Sequence, residues 1–381
     1  MSHLKIVIAP DSFKESMTAK EVAQAIQQGF QEVWDNYITF DLIPMADGGE
    51  GTTEALKEAL NAISYTAKVK DPLHREIEAM YAISNQHQTA IIEMAVASGL
   101  DLLKEDERNP LYSSSYGTGQ LINHALHHGV KKIILGIGGS ATNDGGVGML
   151  QALGVSFKDV DDKEIAQGGA ALSSIHRIDI SQMNPLLHDV EFKVACDVTN
   201  PLLGENGATQ VYGPQKGATE KMIPKLDSAL SHYHDKIEVE LHKRVKDSPG
   251  SGAAGGMGTA LLAFLDAKLQ PGIELVLEET HFQERVKDAH LVITGEGQLD
   301  KQTIYGKTPI GVAKSAKVFD IPVIAICGSL GTNYQAVYEH GIDSVFSIVE
   351  HPCDIKTALE NGPKYLQRTA SNIARLIKLN L

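Results

Sequence analysis

Two hydrophobic patterns alternate along the chain. Short unbroken apolar runs, such as KIVIAP from Lys5 to Pro10, read as strands buried on both faces. Longer stretches repeat apolar residues at helical spacing; in AKEVAQAIQQGFQEVW, Val22, Ile26 and Phe30 share one face. Thr18 and Glu21 stand three apart at its start, which predicts a capping box. The grammar continues through FDLIPMADGGEG and the helical TEALKEALNA. It returns in HLVITGEG (290–297), GVAKSAKVF, IPVIAICGS (321–329) and DSVFSIVE (343–350). Between these lie TAIIEMA (89–95), KKIILGIG (131–138) and EFKVACD (191–197), which also read as strands. Strands alternating with helices predict an α/β fold with mainly parallel sheets.

At 381 residues the chain exceeds what one hydrophobic core usually serves, so two α/β domains are expected. The pattern places residues 1–85 plus 286–381 in a discontinuous domain built from both chain ends, with 86–285 inserted as the second. No internal repeat or low-complexity tail interrupts this reading.

Composition narrows the function classes. A formal charge of −14 is a poor basis for nucleic-acid binding, which needs a basic face. Cys196, Cys327 and Cys353 form no C-x-x-C and lie far apart, against a disulfide framework or structural zinc and in keeping with a reducing cytoplasm. Cys196 and Cys327 sit in apolar runs and read as buried, inert thiols. The start, MSHLKIVIAPDSF, has no long apolar segment, and no run of eighteen apolar residues follows, so neither a signal peptide nor a membrane span is expected.

Candidate chemistry gathers where strands end. In open parallel sheets ligands bind outside the carboxyl ends of strands. Here those ends run into APDSFKES, PMADGGEGT, GIGGSATNDGG, ACDVTNPL, TGEGQLD and CGSLG. The loop from Gly136 to Gly146 holds five glycines, whose exposed backbone amides would suit a phosphate. Its GIGGSA also matches a tolerated form of the dinucleotide fingerprint, which leaves a nicotinamide-dependent oxidoreductase open. No Walker A sequence occurs; in KQTIYGKT, Lys301 takes the place of the first required glycine. Lys14 and Lys307 are loop lysines able to meet a phosphate. Asp11, Asp47, Glu50, Asp144, Asp197, Glu296 and Asp300 all fall at strand ends or in the loops just after them. That pattern fits phosphoryl transfer, in which carboxylates hold Mg²⁺ and one acts as base. For any one of these acids, a helix cap or an Asx-turn is the alternative. The histidines in NHALHHG (123–129) read as the polar face and end of a helix.

KIVIAPDSFKESMTAKEVAQAI, PMADGGEGT, GIGGSATNDGGVGMLQALG, CDVTNPLLG, GAAGGMG and TGEGQLDKQTIYGKTPIGVA, in that order and across nearly the whole chain, resemble the bacterial type I glycerate kinases. The resemblance implies Mg²⁺- and ATP-dependent phosphorylation of D-glycerate in the cytoplasm. The 2-phosphate is the favoured product and the 3-phosphate its alternative. It implies a flavodoxin-like domain inserted into a restriction-endonuclease-like one, with the active site in the cleft between them. Neither a nucleic acid nor a membrane is an expected partner. Motif type and strand-end placement then suggest roles. Gly138, Gly139, Ser140, Thr142, Asn143, Asp144 and Gly145, with Lys307, are expected on the nucleotide. Ser12, Lys14, Asp47, Gly48, Gly49, Glu50 and Thr52 are expected on glycerate and the transferring group. Asp197 is the first candidate for base and Asp47 the second, with Lys14 offsetting negative charge. Glu296 and Asp300 are expected to hold Mg²⁺ or orient Lys307. A sugar-acid sensor without turnover is the remaining competitor.

Overall fold

The computed structural model describes residues 4–34, 38–47 and 52–379. Its contacts divide the chain into two compact units, residues 1–60 with 272–381, and residues 61–271. In chain order the strands among the described residues are β1 (Leu4–Ile8), β2 (Ile38–Leu42), β3 (Ile63–Lys70), β4 (Glu76–Ser84), β5 (Thr89–Glu93), β6 (Lys132–Gly136), β7 (Ser156–Lys158), β8 (Arg177–Asp179), β9 (Glu191–Ala195), β10 (Lys268–Gln270), β11 (Leu291–Leu299), β12 (Val323–Leu330) and β13 (Ser344–Ser347).

The unit built from both chain ends carries a five-stranded sheet in the order β13-β12-β11-β1-β2, parallel throughout. Counted along this unit the order is 2-1-3-4-5, the flavodoxin-like winding, with its reversal between β1 and β11. The flavodoxin-like arrangement therefore belongs to the end-built unit and not, as expected, to the insertion. On one face the helix Ala19–Gln31 buries Val22, Ile26 and Phe30. Its capping box is present: Glu21 N donates to Thr18 Oγ1 (3.3 Å), and Thr18 N donates to Glu21 Oε2 (2.8 Å). This helix packs on the amphipathic Gly362–Lys378 helix through Gly29, where a Cβ would stand 2.3 Å from the Gln367 carbonyl oxygen. Gly29→Ala is accordingly expected to cost about 1–3 kcal/mol, read as a lower denaturation midpoint in urea.

The inserted unit holds a six-stranded sheet in the order β10-β9-β6-β5-β4-β3. β10, β9, β6 and β5 are parallel, while β4 and β3 run antiparallel. Both boundaries differ from the sequence expectation of 85/86 and 285/286, for different reasons. β4 pairs with β5 through Ala82↔Ile91 and Ile83↔Ala90, so the β3–β4 hairpin belongs to the inserted sheet. At the other end the Gly272–Glu279 helix packs on the end-built unit, with Ile273 closing over Gly311.

Cys196 and Cys327 are buried, and burial pushes the Cys327 thiol up to about 12, as suits inert core thiols. The histidine run ends the Tyr116–Leu126 helix, with His124 Nδ1 sharing a hydrogen bond with the Tyr81 hydroxyl. Among the described residues no helix is long and apolar enough to cross a membrane.

Candidate active site

In the end-built unit, chemistry collects at the β1/β11 reversal, where an open doubly wound sheet leaves a crevice. Backbone pairing continues past the end of β1: Ala9 N donates to Ile293 O (2.7 Å), and Asp11 N to Gly295 O (2.8 Å). This sets Asp11 beside Glu296, which β11 presents at 7% exposure. Each carboxylate is held by a threonine from the segment that follows. Thr308 Oγ1 donates to Asp11 Oδ2 (2.6 Å), and Thr303 Oγ1 to Glu296 Oε1 (2.5 Å). The Lys307 ammonium donates to Glu296 Oε2 at 3.2 Å, and Ser12 N to Asp11 Oδ1 at 2.6 Å.

Burial pushes the Glu296 carboxyl up to about 7. Thr303 and Lys307 pull it back, and the Asp11 charge adds to the rise. Burial likewise lifts Asp11 to about 6, against the hydrogen bond from Thr308 and with the Asp47 charge adding to it. Opposed causes of this size leave two carboxyls near neutrality, a state suited to exchanging protons with a hydroxyl.

These groups open on a cleft of about 640 Å³ within the end-built unit. Of the residues expected at the site, Ser12, Lys14, Asp47, Glu296 and Lys307 line it. Asp11 joins them; the sequence reading had it only as one strand-end acid among seven. Thr303 and Thr308 were not anticipated, since a threonine after a glycine loop reads first as a cap. Asp300 stands apart from the lining. It caps the turn Lys301–Ile304, accepting from Gln302 N at 2.7 Å through Oδ1 and from Gln298 Nε2 at 3.2 Å through Oδ2. Thr52 is buried at the start of its helix, and Gly48, Gly49 and Glu50 lie outside the described residues. Glu296 is held by Thr303 and contacts Lys307, the orienting contact expected of it, while Asp300 is held by its turn. Among the described residues no three His, Cys, Asp or Glu side chains group as metal ligands.

The glycine loop after β6 belongs to the inserted unit, and most of it faces inward. Gly138 and Gly139 are exposed, Ser140 is 5% exposed, and Thr142, Asn143 and Asp144 are fully buried. Asp144 Oδ2 accepts from Ser115 N and Ser115 Oγ at 2.8 Å and from Gly148 N at 3.2 Å, while Oδ1 accepts from Gly146 N at 3.2 Å. It thereby ties the start of the Tyr116–Leu126 helix to that of Val147–Ala152. Asn143 Nδ2 donates to Thr209 Oγ1 at 2.9 Å. Lys216, 1% exposed, donates to Ser140 Oγ (2.8 Å) and Thr142 O (2.7 Å), and burial pushes its ammonium down to about 7. Gly145, at φ 62°, donates its amide to Gly255 O at 3.0 Å. A Cβ on Gly255 would fall 2.0 Å from Thr142 O, so two glycine-rich segments interlock through bare backbone. The dinucleotide reading needs a helix opening right after GIGGSA; here the helix starts only at Val147.

The open part of this edge is small. Gly138 and Gly139 stand beyond β6, and exposed Asp197 follows β9, whose Ala195 pairs with Gly136. Glu93, at the end of β5, pairs with Gly136 from the other side.

Comparison with known proteins agrees along the whole length. A family model described as the glycerate kinase family matches residues 6–378. The chain is 56% identical over 369 residues to a glycerate kinase of Halalkalibacterium halodurans, covering 97% of each protein. It is 50% identical over 380 residues to the glycerate 2-kinase of Escherichia coli, covering 99% of both. The crystal structure of a Salmonella typhimurium LT2 protein assigned as glycerate kinase 2 matches with a TM-score of 0.92 at 50% identity, covering 100% of this chain and 99% of that one.

Proposed function

The chain belongs to the glycerate kinase family, and from that premise we propose that it transfers the γ-phosphoryl group of ATP to the 2-hydroxyl of D-glycerate, releasing ADP. The observation that carries the reading is the carboxylate pair Asp11 and Glu296 at the sheet reversal, held by Thr308, Thr303 and Lys307 in a cleft that Lys14 also lines.

Glycerate offers one carboxylate and two hydroxyls. Lys14 at the cleft mouth is proposed to meet the carboxylate, with the Ser12 hydroxyl beside it. Glu296 is proposed as the base that takes the proton from the attacking hydroxyl, in place of Asp197. A buried carboxyl near pH 7 is matched to proton abstraction, and Thr303 and Lys307 fix its orientation. Lys307 also precedes the Thr308–Lys317 helix, so a cation and a helix start stand together where negative charge on the phosphoryl oxygens would be stabilised. Magnesium is proposed to arrive as its ATP complex, which needs only one or two protein carboxylates; Asp11 and Asp47 would serve. When bound it supplies charge neutralisation on the phosphates. In the inserted unit the exposed backbone of Gly138 and Gly139 is proposed to receive an anionic group. Asp144, Asn143 and Thr142 are proposed to support that loop from inside.

The test is ADP release from ATP in the presence of D-glycerate and Mg²⁺, with the product resolved by ³¹P and ¹H NMR. Release should require both additions, and the phosphorus should couple to the single proton on C2. Coupling to the two C3 protons would move the reading to the 3-kinase. Absence of ADP release from folded protein would overturn it.

A further inference from the structure

Part of the end-built cleft is left without a role by the acceptor. Its polar side is accounted for by Asp11, Asp47, Glu296 and the two lysines. The lining also carries an aliphatic group, Ile348, Val349, Ile355 and Leu359. Ile348 is buried at 4% exposure, but Val349 is 40% exposed and Ile355 is 79% exposed. Two aliphatic side chains are thus offered to solvent at the rim of a charged crevice. The wall is firmly placed. Ile348 N donates to Cys327 O (3.0 Å) just past β13. The short helix Ile355–Glu360 is capped by Asp354 and fastened by Ser16 Oγ, which donates to Leu359 O at 2.7 Å.

Glycerate cannot explain this wall. It is a three-carbon acid with a polar group on every carbon and has no apolar face to bury. The cleft, at about 640 Å³, lies in the range that encloses ligands several times larger, roughly 300–1,000 Å³. Among the reactants of the proposed reaction, only the nucleobase of the donor combines a flat apolar face with that bulk.

We infer that the wall formed by Ile348, Val349, Ile355 and Leu359 holds the nucleoside of the phosphoryl donor, so that the nucleotide lies in the end-built unit with its phosphates toward Lys307. This rests on the kinase reading for the identity of the ligand. The main nucleotide contact thereby moves from the loop 138–145, where the sequence had put it, to the β11–β13 edge of the other sheet. A base packed on aliphatic side chains gains from burial of its apolar face.

Ile355→Asn tests the assignment, because a side chain this exposed can change without disturbing a core and the amide adds no charge to repel phosphate; Val349→Asn is the second variant. Binding of ADP, measured by calorimetry on the full chain, is expected to weaken about tenfold in each. The KM for ATP should rise by a similar factor while the KM for D-glycerate stays within about twofold. Inorganic tripolyphosphate, which has no base, should bind both variants as it binds the parent. Unchanged ADP affinity in both variants, or equal losses for ADP and tripolyphosphate, would overturn the inference. The calorimetry needs no turnover, so the two failures separate. A parent that binds ADP on this wall but phosphorylates nothing would sink the kinase reading alone. A parent that turns over glycerate with ADP affinity indifferent to Ile355 and Val349 would sink the wall alone.

Discussion

Glu296→Gln is expected to lower kcat by about 10²–10⁴-fold, the usual contribution of a positioned general base, and to abolish the acid limb of the pH–rate profile. The parent carboxyl is raised from 4.5 to about 7 and accepts a proton only when ionised. Activity of the parent should therefore climb as pH rises through about 7 and level off above it. Glutamine keeps the shape and one acceptor for Thr303 or Lys307 but cannot take the proton. Thr303→Val separates base from support. The Thr303 hydrogen bond holds the Glu296 pKa down, so its loss should move the acid limb to higher pH while much of the activity at high pH survives. Fold loss is told apart by the sign of the linkage. The folded pKa lies above the unfolded one, so the stability this group contributes is fully present below about 4.5 and is lost as pH rises through about 7. An uncharged glutamine escapes that loss, so the variant should be no less stable than the parent at pH 8, by thermal unfolding.

Asp144→Ala is expected to do the opposite: a loss of roughly 3–5 kcal/mol of stability, since each buried donor left unsatisfied costs about 1–3 kcal/mol. Three backbone amides and the Ser115 hydroxyl would lose their acceptor in a site closed to water. For a unit of this size that corresponds to a drop of roughly 6–20 °C in the midpoint of its thermal transition. Asp144→Asn should fall between, because its amide nitrogen would face donors. If instead Asp144 met a nucleotide directly, the alanine variant would keep its midpoint and lose only affinity, so a scan without ligand decides the matter.

That contrast shows which parts of the molecule are local properties. The Ala19–Gln31 helix, its capping box and β1 depend on residues within a few positions of one another, and the apolar spacing gave them directly. The inward direction of Asp144 depends on Ser115, twenty-nine residues away, and an aspartate in a glycine loop reads the same whether it meets protein amides or phosphate oxygens. The division between units was displaced because an apolar strand does not announce its partner. β3 and β4 alternate like any half-exposed hairpin, and only their pairing with β5 assigns them to the inserted sheet. The flavodoxin-like winding was placed in the wrong unit for a related reason, since strand order is a relation between distant segments. Glu296 and Asp300 looked equivalent four residues apart. One lies in the buried run of β11 and the other at the turn that follows it, so one keeps the cleft and the other becomes a cap.

The strand order also sets a timetable. β1 ends at Ile8, and its neighbour β11 begins at Leu291, with the whole inserted unit emerging between them. At roughly 5–20 residues per second of synthesis, β1 waits on the order of 15–60 s for the strand that completes its pairing. The inserted unit is contiguous and can close its sheet during that interval. The end-built unit cannot, and through it an unpaired edge and the apolar face of the Ala19–Gln31 helix remain in search of partners. A ribosome stalled before Leu291 would thus carry one finished body and one sticky fragment, and aggregation during synthesis should track the first sixty residues rather than the two hundred that follow.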